Sequence, residues 1–370
     1  MSIGAKMSYL VVGSGLYGAT FARVLAENNK KVFVIDKRNH IGGNCYTEKI
    51  NGINVHKYGP HAFHTNSEKV WEFANQFAEF NDFKLKVKVN YKDNFYSFPI
   101  NLLTLNQIYG VRNQKEARSI LSKIVVRNKK PNFKNFVISR VGRELYEIFY
   151  EGYTKKQWDL DPEKLPASIA KRIPIRYDFN DYYFSDKYQG IPINGYTNFI
   201  ENILDHKNIK INTNVDFHDN KKDFESKFKK IIYSGKIDEL FEYKYGLLDY
   251  RSLKFVEENH NKTFQGNSII NYTSYNIPYT RIVEHKYFEN KNQENTVITY
   301  EYPEKYDGNN IPFYPINTHS NNNKYNKYRE LIKQNSQYIV GGRLGRYLYL
   351  NMDQTIAMAL KDAGELCQKK

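Results

Sequence analysis

The chain has 370 residues, 41% of them hydrophobic and 26% charged, with 11 prolines, which is the composition of a globular protein of two or three domains. No apolar run approaches the ~20 residues of a membrane span, the start lacks a signal-peptide layout, and two cysteines exclude a disulfide framework or a four-cysteine zinc site, so a soluble cytoplasmic protein is expected. The net charge of +15 is spread without a basic block of five or six, so it does not point to nucleic acid, and no membrane insertion is expected.

Residues 9–12 read as a short buried strand, 16–29 as a helix and 32–35 as a second strand, together a βαβ unit. A helix follows over 68–80, capped by Asn66 or Ser67, and 84–98 alternates like a hairpin with its turn at Asp93-Asn94. Helical spacing dominates 105–109, 116–126, 133–141 and 144–153, and Pro162, Pro166 and Pro174 make 159–175 a loop with one short helical piece. A helix over 197–204 precedes strands at 209–211 and 230–233, and β-type runs occupy 253–256, 268–272 and 296–300. A polar helix opening at Asn321, a strand at 338–340 and a helix over 352–366 close the chain. The 32 tyrosines and 23 phenylalanines crowd certain segments, as in a site that grips a base or a sugar ring.

Gly13-Ser14-Gly15-Leu16-Tyr17-Gly18 is a GxGxxG sequence between a strand and a helix. In that place the first glycine permits the turn, the second a close approach to a diphosphate and the third tight helix–strand packing, with the helix N-terminus facing the phosphates. Asp36 ends the second strand, where a carboxylate accepts from ribose hydroxyls. Lys37-Arg38 and then Gly42-Gly43-Asn44 resemble the second fingerprint of FAD proteins of the glutathione-reductase type.

Further blocks resemble one family. The segments His56-Lys57-Tyr58-Gly59-Pro60-His61-Ala62-Phe63-His64-Thr65, Gly152-Tyr153-Thr154-Lys155-Lys156-Gln157-Trp158, Lys171-Arg172-Ile173-Pro174 and Tyr183-Phe184-Ser185-Asp186 are similar to UDP-galactopyranose mutases. So are Gln189-Gly190-Ile191-Pro192, Tyr250-Arg251-Ser252-Leu253, Pro278-Tyr279-Thr280-Arg281 and Gly341-Gly342-Arg343-Leu344, in family order over 7–366. The resemblance implies an α/β fold: an FAD-binding Rossmann-like domain (7–80, 190–245, 316–370), an inserted helical domain (101–175) with a mobile lid at 164–175, and an antiparallel β-sheet domain (81–100, 176–189, 246–315). It also implies the interconversion of UDP-galactopyranose and UDP-galactofuranose for cell-surface polysaccharide, by a homodimer. The reaction would use reduced FAD, whose N5 attacks the anomeric carbon to give a covalent flavin–sugar intermediate.

By the same resemblance Arg172 and Arg281 bind the diphosphate, as forked, permanently charged guanidiniums suit. Arg251 and Arg343 lie near substrate and flavin, Tyr183, Tyr314 and Tyr349 contact diphosphate and sugar, and Asn271 lies near the sugar. Phe149, Tyr153, Thr154 and Trp158 hold the uridine, and the 149/153 spacing puts two aromatics on one helix face. His61 sits beside the flavin, where it senses redox state, and Met352 joins Gly13, Ser14, Gly15, Gly18, Asp36, Lys37, Arg38, Gly42, Gly43 and Asn44 around the cofactor. No carboxylate or thiol stands at ligand spacing from His61 and His64, so no metal is expected.

Two positions depart from the family's pattern: Asn351 stands where an aspartate is usual, and Asp353 where a histidine is. They leave open the detailed sugar contact, including a UDP-N-acetylgalactosamine preference or dual specificity. An amine-oxidase-like flavoenzyme of the same fold would share both glycine fingerprints, but has no use for paired diphosphate arginines and uridine aromatics. A sensor that binds without turnover is the non-enzymatic alternative.

Overall fold

A computed structural model describes residues 7–126, 132–171, 173–289 and 291–368. Five parallel strands form one sheet in the order Tyr338–Val340, Phe228–Tyr233, Met7–Val12, Val32–Ile35, Ile209–Asn212. Their Val/Ile-rich runs are covered on both faces, as parallel sheets require, and Leu10, Val11, Ile231 and Ile232 are fully buried. The helices Leu16–Glu27, Gly195–Leu204 and Met352–Gln368 pack together on one side. Phe217, Tyr328 and Tyr338 belong to the core on the other.

Seven strands form the second sheet, in the order Tyr314–Pro315, Tyr250–His260, Thr296–Lys305, Arg281–Glu284, Ile269–Tyr272, Val87–Tyr91, Asn94–Phe98. Every pair is antiparallel except Ile269–Tyr272 with Val87–Tyr91. The hairpin turns at Lys92 and Asp93, one residue earlier than expected. Both take positive φ (50° and 62°), which matches the strand twist and leaves Asn94 to pair with Tyr91.

The helices Leu102–Tyr109, Gln114–Ile124 and Phe133–Tyr146 pack one on the next, the first against the strand Asn94–Phe98, and their N-cap residues Asn101, Asn113 and Asn132 each accept a bond from the backbone N–H three residues on. The expected break between 141 and 144 is there: Gly142 has a non-helical backbone (φ 83°, ψ 173°) and separates one helical stretch from the next, which starts at Arg143. That helix runs on through a π turn, Glu147–Glu151, into Gly152–Trp158. The Pro-punctuated segment holds two short helical pieces, Pro162–Lys164 and Ser168–Lys171, rather than one. Ser67, not Asn66, caps Glu68–Asn75, and Thr318 caps a helix starting at His319, two residues before Asn321. Among the described residues no helix is long and apolar enough to cross a membrane.

Candidate active site

A cavity of about 250 Å³ opens at the carboxyl ends of the parallel strands, lined by Gly13, Asp36, Ser234 and Gly342 from four of them. The helix Leu16–Glu27 begins there at Gly15 with no capping side chain and no acid in its first turn, so its N–H dipoles are uncompensated. A Cβ on Gly18 would stand 1.9 Å from the Gly13 carbonyl oxygen. Gly42 donates its N–H to the Ser14 carbonyl at 3.2 Å, joining the two glycine turns. Asp36 accepts from the Ser14 N–H (2.8 Å) and hydroxyl (2.6 Å) on one oxygen and from the Arg38 N–H (3.0 Å) on the other. It therefore braces the glycine turn and keeps about one lone pair for a ribose. Arg38 stacks on Tyr58, donates Nη2 to Asn44 (2.8 Å), and buries Nη1 without a partner. An uncapped helix start, a turn that admits no Cβ and an orphaned guanidinium nitrogen fit a dinucleotide diphosphate. Lys37 is exposed at the rim.

A second cavity, of about 600 Å³, adjoins the first, and Asn44, His61, Arg343 and Met352 line both. Phe149, Tyr153, Thr154 and Trp158 form one wall, and Tyr183, Asn271, Arg281, Tyr314 and Tyr349 line the rest. Arg281 and Glu301 face each other across paired strands, Nε to Oε1 at 3.3 Å but out of hydrogen-bond alignment. Arg281 Nη2 donates to the Tyr153 hydroxyl at 2.7 Å. Burial, the largest influence, works against the arginine's charge, but Glu301 together with Tyr153, Tyr314 and Tyr349 outweighs it and keeps the guanidinium pKa well above the ordinary value. Burial raises the Glu301 pKa, against which Arg281 acts. Tyr314 and Tyr349 stack at 5.3 Å, with the Arg343 guanidinium 4.9 Å from the Tyr349 ring; Arg343 also donates to the carbonyls of Leu350 (2.7 Å) and Phe313 (3.3 Å).

Three histidines stand in a row behind the shared wall. The backbone N–H of His61 donates to His56 Nδ1 (3.0 Å), and the backbone N–H of His56 donates to His285 Nδ1 (3.3 Å). His285 Nε2 lies 2.8 Å from the Thr299 hydroxyl. Burial holds all three neutral: His61 falls to about 4, with Arg343 adding to the effect, His285 to about 3, and His56 well below its usual value. Because the Gly59 carbonyl can only accept, His61 Nδ1 at 2.8 Å carries the proton and Nε2 is an acceptor.

One expected contact falls elsewhere. Arg251 lines neither cavity: it is 4% exposed and donates to the carbonyls of Gln157 (2.9 Å) and Lys156 (3.4 Å), which the end of Gly152–Trp158 leaves unpaired. The Ser14 side chain is fully buried on Asp36. Arg172 lies outside the described residues, although Ile173 and Pro174 line the larger cavity. Several wall residues lie outside the sequence expectations. Glu301 occupies an inward position of a strand whose tyrosines at 300 and 302 are less buried, a faint signal in the alternation. Gln157 is 6% exposed with both amide atoms unpartnered, and its spacing from Phe149 and Tyr153 was the available signal. The His64 ring stacks on Phe184 at 3.6 Å and bonds Asp186 at 2.8 Å, a pairing between distant segments that no local pattern announces.

The profile of the UDP-galactopyranose mutase family matches residues 148–349, and that of an NAD(P)-binding Rossmann-like domain matches 11–77. A probable UDP-galactopyranose mutase of Klebsiella pneumoniae is 41% identical over 96% of this chain and 94% of its own length. The chain belongs to the UDP-galactopyranose mutase family. A dTDP-fucopyranose mutase of Escherichia coli is 40% identical over 96% of this chain and 97% of that protein. The UDP-galactopyranose mutase of Mycoplasma genitalium is 31% identical over 96% and 94%. The crystal structure of a reduced UDP-galactopyranose mutase superposes with a TM-score of 0.74 over 97% of this chain and 95% of that one, at 14% identity. Putrescine oxidase shares the fold at 11% identity and a TM-score of 0.58, so the architecture alone does not separate mutase from oxidase. Membership does: the chain is an isomerase of the mutase class, and its cofactor is the flavin of that class.

Proposed function

We propose that the protein interconverts UDP-galactopyranose and UDP-galactofuranose in the cytoplasm, as a homodimer, in the supply of galactofuranose for surface polysaccharide. The observation that carries the substrate is Arg281, paired with buried Glu301 in the wall of a 600 Å³ cavity that continues into the dinucleotide cradle. Reduced FAD, when bound, supplies the nucleophile.

The chain's own residues do the rest. Gly13, Gly15, Gly42, Gly43 and Arg38 hold the cofactor diphosphate, and Asp36 fixes the turn that presents the N–H groups. Phe149, Tyr153, Thr154 and Trp158 take the uridine, with the Gln157 amide supplying an acceptor and two donors to its imide edge. Arg281, with Arg172 from the 164–175 lid, neutralises the diphosphate as it leaves the sugar, where charge develops. Tyr314, Tyr349, Asn271 and Asp353 face the sugar; the buried Oδ1 of both Asn271 and Asp353 lacks a partner and accepts from hydroxyls. Neutral His61 offers an acceptor where the cavities meet. Aromatic walls keep water from the reacting carbon. We assign these parts to a cofactor domain, a helical domain with the lid, and a sheet domain.

The test is anaerobic: purified protein, reduced with dithionite, receives UDP-galactofuranose, and chromatography follows UDP-galactopyranose, with an oxidised control. Conversion only in the reduced sample supports the reading. The near-equal identity to the dTDP-fucopyranose mutase favours one second reading, a dTDP-linked 6-deoxy sugar. A higher kcat/KM for dTDP-fucofuranose than for UDP-galactofuranose in the same assay would replace the first reading with the second.

A further inference from the structure

The helix that lines the cavity has a second face with a different task. Phe149, Tyr153 and Gln157 face the cavity, while their predecessors Ile148, Gly152 and Lys156 meet the 272–280 segment that links the strand of Asn271 to the strand of Arg281. The Thr273 hydroxyl donates to the Ile148 carbonyl at 2.6 Å. Gly152 lies so close that a Cβ would stand 2.2 Å from the Thr273 carbonyl oxygen. Lys156 Nζ lies within hydrogen-bond distance of four carbonyls of that segment: Tyr272 (2.7 Å), Ser274 (3.0 Å), Ile277 (2.9 Å) and Tyr279 (2.9 Å).

An ammonium has three protons, so four carbonyl oxygens surround it as they would a bound monovalent cation. The four come from both ends and the middle of one loop, so the charge closes that loop on itself and on the helix. Burial draws the Lys156 pKa down to about 8, while the carbonyl dipoles act in the opposite sense. The lysine side chain thus contributes no group to the cavity, but sits between the two walls that define it.

We infer that Lys156 is a positioning residue: its ammonium, caged by four carbonyls of the 272–280 loop, sets the distance between the base-holding face of the helix and the strand carrying Arg281. The inference rests on the nucleotide-sugar reading of the cavity. It makes base binding and diphosphate binding one rigid unit, in which the fit of one end depends on the other.

The experiment uses the oxidised holoprotein and two variants. Lys156→Ala empties the cage and leaves a channel for the missing stem, whereas Lys156→Met fills the channel without a charge. UDP affinity by calorimetry is expected to fall ~10- to 100-fold in both, the cost of a misplacement of order 1 Å. Propylammonium, which restores the lost atoms, is expected to recover affinity in Lys156→Ala and not in Lys156→Met. Amide exchange over 272–280 is expected to quicken in both variants and to slow again with propylammonium only in Lys156→Ala. Wild-type UDP affinity in either variant, or equal recovery in both, overturns the positioning role. Unchanged exchange over 272–280 overturns the cage whatever the ligand. If the wild-type protein holds flavin but no UDP, the nucleotide reading fails and the positioning role with it, while the exchange arm still decides the cage.

Discussion

Single side chains in this site are held by partners that the ligand does not replace. Arg281 is paired with Glu301, which is 1% exposed beside it, and its direction is fixed by the Tyr153 hydroxyl. Arg281→Ala is expected to cost about 2–3 kcal/mol of nucleotide interaction, roughly 30- to 150-fold in kcat/KM, because an anion is left unpaired in a closed site. Arg281→Lys, which cannot use two fixed prongs, is expected to fall between the two in the same assay. Glu301→Gln leaves a buried guanidinium without its counter-charge and is expected to lower stability by about 3 kcal/mol in urea titrations. At the cofactor end, Gly18→Ala drives a methyl into the Gly13 carbonyl, and the absorbance ratio of purified protein should show loss of bound flavin.

At the scale of the element, the helix from Arg143 to Trp158 gains one residue at its π turn, and that extra residue rotates the rest of the helix about its axis. Gly152 is then placed against Thr273, where only a residue without a Cβ fits. Gly152→Ala is expected to cost ~1–3 kcal/mol as overpacking and to weaken UDP binding, seen as a lower thermal midpoint and a higher Kd. The strand–GxGxxG–helix unit was legible in the sequence because each of its causes is local: buried Val/Ile runs, a glycine at each close approach, and a second strand after a short turn. The Arg281–Glu301 pair was not, because it depends on the register between two successive strands, and nothing within either strand states that register. Arg251 shows the opposite failure. Its motif was read correctly, yet the side chain turns to carbonyls at a helix end, since a long side chain's destination is set by what tertiary structure leaves unpaired. The π turn is invisible for a similar reason, as it preserves helical spacing on either side.

For the whole molecule the row of buried histidines sets an acid limit. His61, His56 and His285 titrate far below their unfolded value near 6.5, so the unfolded chain binds more protons than the folded one as pH falls. The stability they contribute is complete above pH ~6.5 and is lost as pH falls from there through the folded values, about 4 for His61 and about 3 for His285. Urea midpoints measured between pH ~7 and ~4 are expected to fall steadily, and His285→Gln, which cannot be protonated, to make the fall shallower.

The parallel sheet is assembled from the beginning, middle and end of the chain, and its edge strand at Tyr338–Val340 brings with it Arg343, Leu344, Leu350 and Met352. On the ribosome these residues emerge after the other walls of the cofactor chamber. A nascent chain can form the glycine turn and its helix early, but one wall of the cofactor chamber does not yet exist. Flavin capture therefore waits until residues 338–352 have been made, and a message truncated before residue 338 yields a chain that owns the fingerprint of a flavoprotein without the means to retain the flavin.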